Sequence, residues 1–342
     1  MTKGLIPEWA PQDAVLLAWP DETMDWADNL AEIRSCYLLM VRALLDYVPV
    51  ILLAQDTTSV PLRGDYPHRL TVLEMPLNDT WVRDYAPLSV IDDRGERVVV
   101  DFAFNAWGLK FAADRDNQVA SKLPIFTKDI KRMITRHDYV LEGGAVESNG
   151  EGLILSTSSV LLDPNRNLGR GEASVHTLTE PIREALHADR VDMLEVSPLE
   201  GDDTDGHIDT LARFCDIETI VYASCSDEEH PDYNTLRKLD EELHRLYGER
   251  YRLVALPTPE VKRDTDGSAM PASYANFLIT NRIVLAPTYR DRADDEALST
   301  LRDLFPERKV VPVDAIPLIR QHGSIHCATM QFPEGFIDEE YK

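Results

Sequence analysis

Short apolar runs that read as buried strands recur from one end of this chain to the other, and helical periodicity separates many of them. The runs are Val15–Pro20, Val48–Ala54, Leu70–Met75, Val98–Phe104, Leu153–Ser156, Thr219–Ala223, Tyr251–Leu256, Phe277–Thr280, Ile283–Pro287 and Lys309–Val313. Asn29–Leu45 carries Leu30, Ile33, Tyr37, Leu38, Val41, Leu44 and Leu45 on one stripe, and Leu178–Leu186, Asn234–Tyr247 and Asp294–Phe305 repeat the pattern. Pro181 suits a first helical turn. Proline and glycine cluster at the junctions rather than in one linker, so the spacing permits a single domain over residues 1–342 built from repeated ββαβ units. It permits an open α/β sheet equally well. A dinucleotide fold is disfavoured, because no G-x-G-x-x-G and no phosphate loop occurs. Ala106–Ser121, Asp163–Ser174 and Lys262–Ser273 lack periodicity and read as rim loops, with Trp107 and the first of them as the candidate lid.

The net charge of −25 argues against non-specific binding to nucleic acid or to an anionic membrane, and it would concentrate small cations near the surface. Cys36, Cys215, Cys225 and Cys327 form no C-x-x-C pair and no ladder of spacings. That pattern suits the reduced cytoplasm, with neither a disulfide framework nor a zinc site. No basic stretch followed by an apolar one opens the chain, and no run is long enough to span a bilayer. A soluble cytoplasmic protein is expected, and a homo-oligomer is as compatible with the sequence as a monomer.

Chemistry concentrates in four islands: Asn78-Asp79-Thr80-Trp81-Val82-Arg83-Asp84, Glu142-Gly143-Gly144, Asp203-Thr204-Asp205-Gly206-His207-Ile208-Asp209 and Gly323-Ser324-Ile325-His326-Cys327. Together they offer a soft nucleophile, histidines and several carboxylates, a set suited to attack on a planar cationic carbon such as that of a guanidinium. A lone cysteine is by default a small core residue. Gly323 and the adjacent His326 lift Cys327 above that reading, since His326 could bias the thiol toward thiolate. His207 and Asp209, two apart, share a face if the segment is extended. H-x-D could also hold a metal, but no further ligands follow at a recognisable spacing, so neither a metal nor an organic cofactor is expected. Asp84 is either a guanidinium partner beside a Trp81 wall or the ion-pair mate of Arg83. Glu142 either ends a strand or, with its two glycines, meets a ligand closely. His322 reads as surface.

In this order the islands are similar to those of the agmatine deiminase family, which includes bacterial-type peptidylarginine deiminases and belongs to the guanidino-group-modifying, or pentein, superfamily. Pro7-Glu8-Trp9, Leu16-Ala18-Trp19-Pro20, Phe104-Asn105-Ala106-Trp107-Gly108, Ser273-Tyr274-Ala275-Asn276-Phe277 and Met330-Gln331-Phe332-Pro333 extend the resemblance over nearly the whole chain. The resemblance implies a five-bladed pseudosymmetric α/β propeller with a central site and no cofactor. It implies Cys327 as nucleophile, His207 as general acid and base, Asp84 and Asp209 as a guanidinium clamp, and Glu142 orienting substrate and His207. Trp81, Trp107 and Asp203 are expected to join Asp84 and Asp209 in binding a small cationic guanidine. Agmatine would then yield N-carbamoylputrescine and ammonia through a covalent thiouronium; free or peptidyl arginine, or a non-catalytic binding role, are the alternatives. Established agmatine deiminases usually read G-G-G-N-I-H-C, R-D-T-G-P and T-N-G-H-V-D-N. This chain has His322-Gly323-Ser324-Ile325-His326-Cys327, Arg83-Asp84-Tyr85-Ala86-Pro87 and Thr204-Asp205-Gly206-His207-Ile208-Asp209-Thr210, so the flanks that shape the pocket for a substrate tail differ. Arg166, Arg170, Arg263 and Lys262 are the loop residues that could meet a carboxylate tail.

Overall fold

The run Val50–Ala54 contains no polar residue and is buried at every position, as a strand flanked on both edges must be. It lies in a sheet ordered Met330–Pro333, Gln12–Ala18, Val50–Ala54, Leu70–Glu74, whose first pairing is antiparallel and whose next two are parallel. The computed structural model describes residues 3–62, 64–66, 68–167 and 174–342. Four more sheets carry the same antiparallel and then parallel pairing, the first of them with Gly4–Leu5 added antiparallel at its edge. They are Gly4–Leu5, Leu88–Ile91, Arg97–Ala103, Arg132–Val140; Glu147–Ser148, Leu153–Thr157, Arg190–Leu194; Ala212–Phe214, Thr219–Ala223, Arg252–Leu256; and Leu278–Ile279, Ile283–Thr288, Lys309–Asp314. The fold is therefore mixed α/β.

A parallel pairing needs a crossover, and helices supply it. Leu30–Leu45 links the strands Gln12–Ala18 and Val50–Ala54 and buries Ile33, Cys36, Tyr37, Met40, Val41, Leu44 and Leu45, the stripe legible in the sequence. Each such fully buried aliphatic side chain contributes about 1.5–3 kcal/mol. Val175–Ala185, Tyr233–Tyr247 and Asp294–Leu304 do the same in three other sheets. In the first of these, Ser174 caps the helix through the Thr177 N–H, so Pro181 falls inside it and not in the first turn. Ala106–Ser121 and Lys262–Ser273 are not featureless loops. The first holds the short turns Ala106–Leu109 and Val119–Lys122, and the second folds into a hairpin pairing Lys262–Arg263 with Ala269–Met270. Residues 168–173 of the stretch from Asp163 to Ser174, Arg170 among them, lie outside the described residues. No helix among the described residues is long and apolar enough to cross a membrane.

Candidate active site

In each of the five sheets one strand runs antiparallel to the strand that makes the parallel pairing, and the segment just before that antiparallel strand carries a residue of one common site. Asp84 precedes Leu88–Ile91, Gly144 precedes Glu147–Ser148, and Asp209 precedes Ala212–Phe214. Asn276 precedes Leu278–Ile279 and Cys327 precedes Met330–Pro333. Five stretches far apart in sequence thus meet at one point.

Cys327, Asp84, Trp81, Trp107 and Asp203 line one pocket together with Asp25, Asp79, Thr204, Phe111, Gln321, His322 and Gly323. Its non-atom space is about 380 Å³, open solvent at the mouth included. His207, Asp209 and Glu142 are fully buried beside these groups. Cys327 Sγ stands 3.6 Å from Asp209 Oδ2, and His207 Nδ1 stands 3.6 Å from Asp84 Oδ1. Gly144 makes this crowding feasible. A Cβ there would fall 2.7 Å from His207 Nδ1, 2.8 Å from Asp84 Oδ1 and 3.1 Å from Asp209 Oδ2. Gly323 serves the pocket wall likewise, since a Cβ would lie 2.3 Å from the Trp81 ring.

Asp84 accepts the Trp107 indole N–H on Oδ2 and the Gly144 N–H on Oδ1, both at 2.9 Å. Trp107 reaches it from a left-handed turn in which Ala106, Trp107, Gly108 and Leu109 all have positive φ (52°, 55°, 80° and 68°). For a residue with a Cβ this conformation costs about 1–2 kcal/mol. Asn105 offsets part of that by accepting the Gly108 N–H at 3.0 Å, and Lys110 ties the far end to Asp205 at 2.7 Å. Trp107 and Phe111 thus form a wall of the pocket on a turn fixed at both ends.

Arg83 is not the partner of Asp84. It points the other way, to Glu8 at 3.5 Å and to the His326 carbonyl at 3.3 Å. Asp209 sits in a 3-10 turn, Ile208–Thr210, and not on an extended segment. His326 does not face the thiol. Its Nδ1 meets Asp209 Oδ2 and its Nε2 meets Glu8 Oε2, each at 2.7 Å. Burial, then the charges of Asp209 and Asp84, push the Cys327 thiol well above its ordinary value near 9.0, so the expected bias toward thiolate is overturned for the unliganded pocket. Burial also raises Asp84, with His207 opposing and Asp209 adding. Asp209 differs: burial works to raise it, yet His326 holds it below the usual carboxylate range.

Glu142 does not reach His207; Arg166 Nε donates to both its oxygens at 2.9 and 3.2 Å. Arg166 also binds Asp205 at 2.7 Å and the Thr204 carbonyl at 3.0 Å. Lys262 pairs with Asp291 at 2.6 Å, and Arg263 lies 3.6 Å from Glu200. None of these three lines the pocket. His322, read as surface, does line it.

Sequence reasoning missed Glu8, Asn276, Asp25, Asp79 and Gln321. Glu8 and Asn276 lay in stretches singled out only for resemblance; no local pattern separates Asp25 or Gln321 from ordinary surface residues. Among the described residues, three buried polar atoms here have no hydrogen-bond partner: His207 Nδ1 and Nε2, and Asp209 Oδ1. A ligand carrying several N–H donors on a flat frame would satisfy Asp209 Oδ1 and the unprotonated nitrogen of a neutral His207.

Comparison with known proteins assigns the chain to a family. Residues 4–333 match the model of the Porphyromonas-type peptidyl-arginine deiminase family. The agmatine deiminase of Stutzerimonas stutzeri is 33% identical, over 96% of this chain and 95% of that protein. A solved Porphyromonas gingivalis structure, provisionally named an arginine deiminase, superposes with a TM-score of 0.91 at 44% identity, covering 98% of this chain and 99% of that one. A cysteine-to-serine variant of the C. jejuni agmatine deiminase, solved with substrate bound, gives a TM-score of 0.89 at 34% identity, covering 97% of this chain and 96% of that one.

Proposed function

This chain belongs to the Porphyromonas-type peptidyl-arginine deiminase family, and from that premise we propose that it hydrolyses a small guanidine with a cationic tail, agmatine in the first instance, to a ureido product and ammonia. It is a hydrolase of carbon–nitrogen bonds, as agmatine deiminases are. The observation that carries the substrate is the pocket wall: Asp25, Asp79 and Asp203 line it, and no lysine or arginine does so among the described residues. A terminal ammonium suits that wall, whereas the carboxylate of free arginine does not. Agmatine is also the substrate named for the relatives from S. stutzeri and C. jejuni.

The guanidinium would lie between Asp84 and Asp209, donating paired N–H groups to carboxylate lone pairs. Its charge offsets the two carboxylates that hold the thiol protonated, so Cys327 would pass its proton to His207 as substrate arrives. Sγ then bonds to the central carbon. His207 delivers a proton to the departing nitrogen, the C–N bond breaks and ammonia leaves a thiouronium on Cys327. Water, giving one proton to His207, attacks the same carbon; the C–S bond breaks, the remaining hydroxyl proton passes to solvent, and the ureido product leaves with the thiolate restored. Glu142 would act on this site through Arg166 and the 204–205 segment. The five like sheets would be the blades of a pseudosymmetric propeller, one catalytic domain over 1–342 with the site at its hub. A reduced cytoplasm would keep the free thiol competent, and no cofactor enters any step.

The test is ureido-product formation by purified protein offered agmatine, free arginine and an arginine-containing peptide side by side, with Cys327→Ala as control. Agmatine turnover that Cys327→Ala abolishes is the expected result. Preference for free arginine would overturn the tail assignment, and undiminished turnover by Cys327→Ala would overturn the mechanism.

A further inference from the structure

Asn276 sits in the segment Ser273-Tyr274-Ala275-Asn276-Phe277, to which the chemistry above gives no role. Its side chain is 1% exposed and touches the nucleophile. The carboxamide oxygen accepts the backbone N–H of His326 at 3.0 Å and of Cys327 at 3.3 Å. These contacts identify which end of the amide is oxygen, because neither N–H could face an NH2 group. The other end, Nδ2, therefore lies 3.3 Å from Cys327 Sγ and 3.4 Å from the Asp209 carbonyl. The backbone carbonyl of Asn276 also receives the His326 N–H, at 3.2 Å.

The surroundings of Sγ make this donor consequential. Asp209 Oδ2 is 3.6 Å away and can only accept. A thiolate forming there meets negative charge and needs hydrogen-bond donors. Asn276 Oδ1 is 3.4 Å from Sγ and can receive the S–H of the resting thiol, while Nδ2 can donate to the sulfur once the proton has gone. One carboxamide, pinned by two backbone N–H groups of the turn that carries the cysteine, thus serves both protonation states.

We infer that Asn276 is a catalytic residue that stabilises the Cys327 thiolate through Nδ2 and fixes the direction from which Sγ attacks. The inference rests on Cys327 being the nucleophile of the proposed reaction, but its test needs no substrate. Asn276→Asp keeps an oxygen for the His326 and Cys327 N–H groups and replaces the donor with an acceptor. Asn276→Ala removes the donor without adding charge. The probe is iodoacetamide at pH 8, with Cys327 separated from the other three cysteines by peptide mass mapping and the fold checked by thermal unfolding.

Loss of a hydrogen bond to a charged sulfur should slow alkylation of Cys327 about tenfold or more in either variant that stays folded. An unchanged rate in folded Asn276→Asp overturns the inference, and because the new carboxylate alone would slow alkylation, slowing in that variant supports it only together with slowing in Asn276→Ala. Should Asn276→Asp fail to fold, Asn276→Ala decides: a rate within about twofold of the native protein overturns it equally, by the same hydrogen-bond accounting. With agmatine, kcat should fall in proportion and KM change little. If the native protein converts no guanidine, the functional proposal fails while the alkylation comparison still decides the role of Asn276.

Discussion

Glu8 and His326 are 318 positions apart in the chain and 2.7 Å apart in the fold. The same Glu8 oxygen accepts from Arg213 at 2.9 Å, and its other oxygen takes the Ile279 N–H at 2.6 Å. Burial opposes a charge on Glu8, but Arg213, His326 and Arg83 hold its carboxyl far below the usual value near 4.5. Across the imidazole, Asp209 is held ionised by His326 in turn. Asp209, whose Oδ2 lies 3.6 Å from Cys327 Sγ, is thus linked to Glu8 through a single imidazole.

Glu8→Gln should cost about 3 kcal/mol, because Arg213 and His326 would lose a buried counter-charge. A carboxyl depressed in the folded state binds fewer protons there than in the unfolded chain, so its stabilisation is present above about pH 4.5 and is lost as pH falls below that value. Denaturant unfolding of the native protein should weaken steadily from there downward. Glu8→Gln should show a shallower acid slope, and an unchanged slope would count against this account.

Gly144→Ala tests the closeness of the site. Its backbone is not left-handed, so the added methyl should spare the fold and collide with His207, Asp84 and Asp209. A displacement of about 1 Å at reacting groups can cost on the order of 100-fold in rate. Steady-state kinetics should show that loss in kcat/KM, with thermal unfolding little altered.

The raised Cys327 thiol predicts its own titration. While pH stays below that pKa, the thiolate fraction grows about tenfold per pH unit. Alkylation of Cys327 in the unliganded protein should therefore keep climbing through pH 9. A plateau near neutrality would show a preformed thiolate and contradict the substrate-assisted step.

Asp203 is pushed up to about 6, by burial first, with His322 opposing and Asp202 adding. As pH falls through 6 the wall loses a negative charge, and KM for a cationic tail should rise while kcat holds. Asp203→Asn should raise KM at neutral pH and flatten that part of the profile. A pH-independent KM in the native protein would remove Asp203 from the tail site.

Strands with a continuous apolar core were legible: Val50–Ala54, Thr219–Ala223 and Ile283–Thr288 lie where the sequence places them. Arg132–Val140 was not, because an edge strand with most of its side chains in solvent alternates Arg, Thr, His and Asp. Ala212–Phe214 and Glu147–Ser148 are too short to show a period. At the site, the islands announced Asp84, His207 and Cys327 because glycine or a second charge stood beside them. Glu8 and Arg166 act through partners remote in sequence, and no local pattern records such a partner. The direction of the His326 ring, too, is set by Glu8 and could not be read from its neighbour Cys327.

A chain of five similar sheets has the means to melt piecemeal, as arrays of repeats do when neighbours couple weakly. Here a segment from each sheet delivers a group to one shared site, and Glu8, Arg83, Glu147, Arg213 and His326 interlock beside it. Opening any one sheet would strand buried charge contributed by the others. Sharing one site thus makes loosening a collective event, and activity would report on the integrity of all five sheets at once.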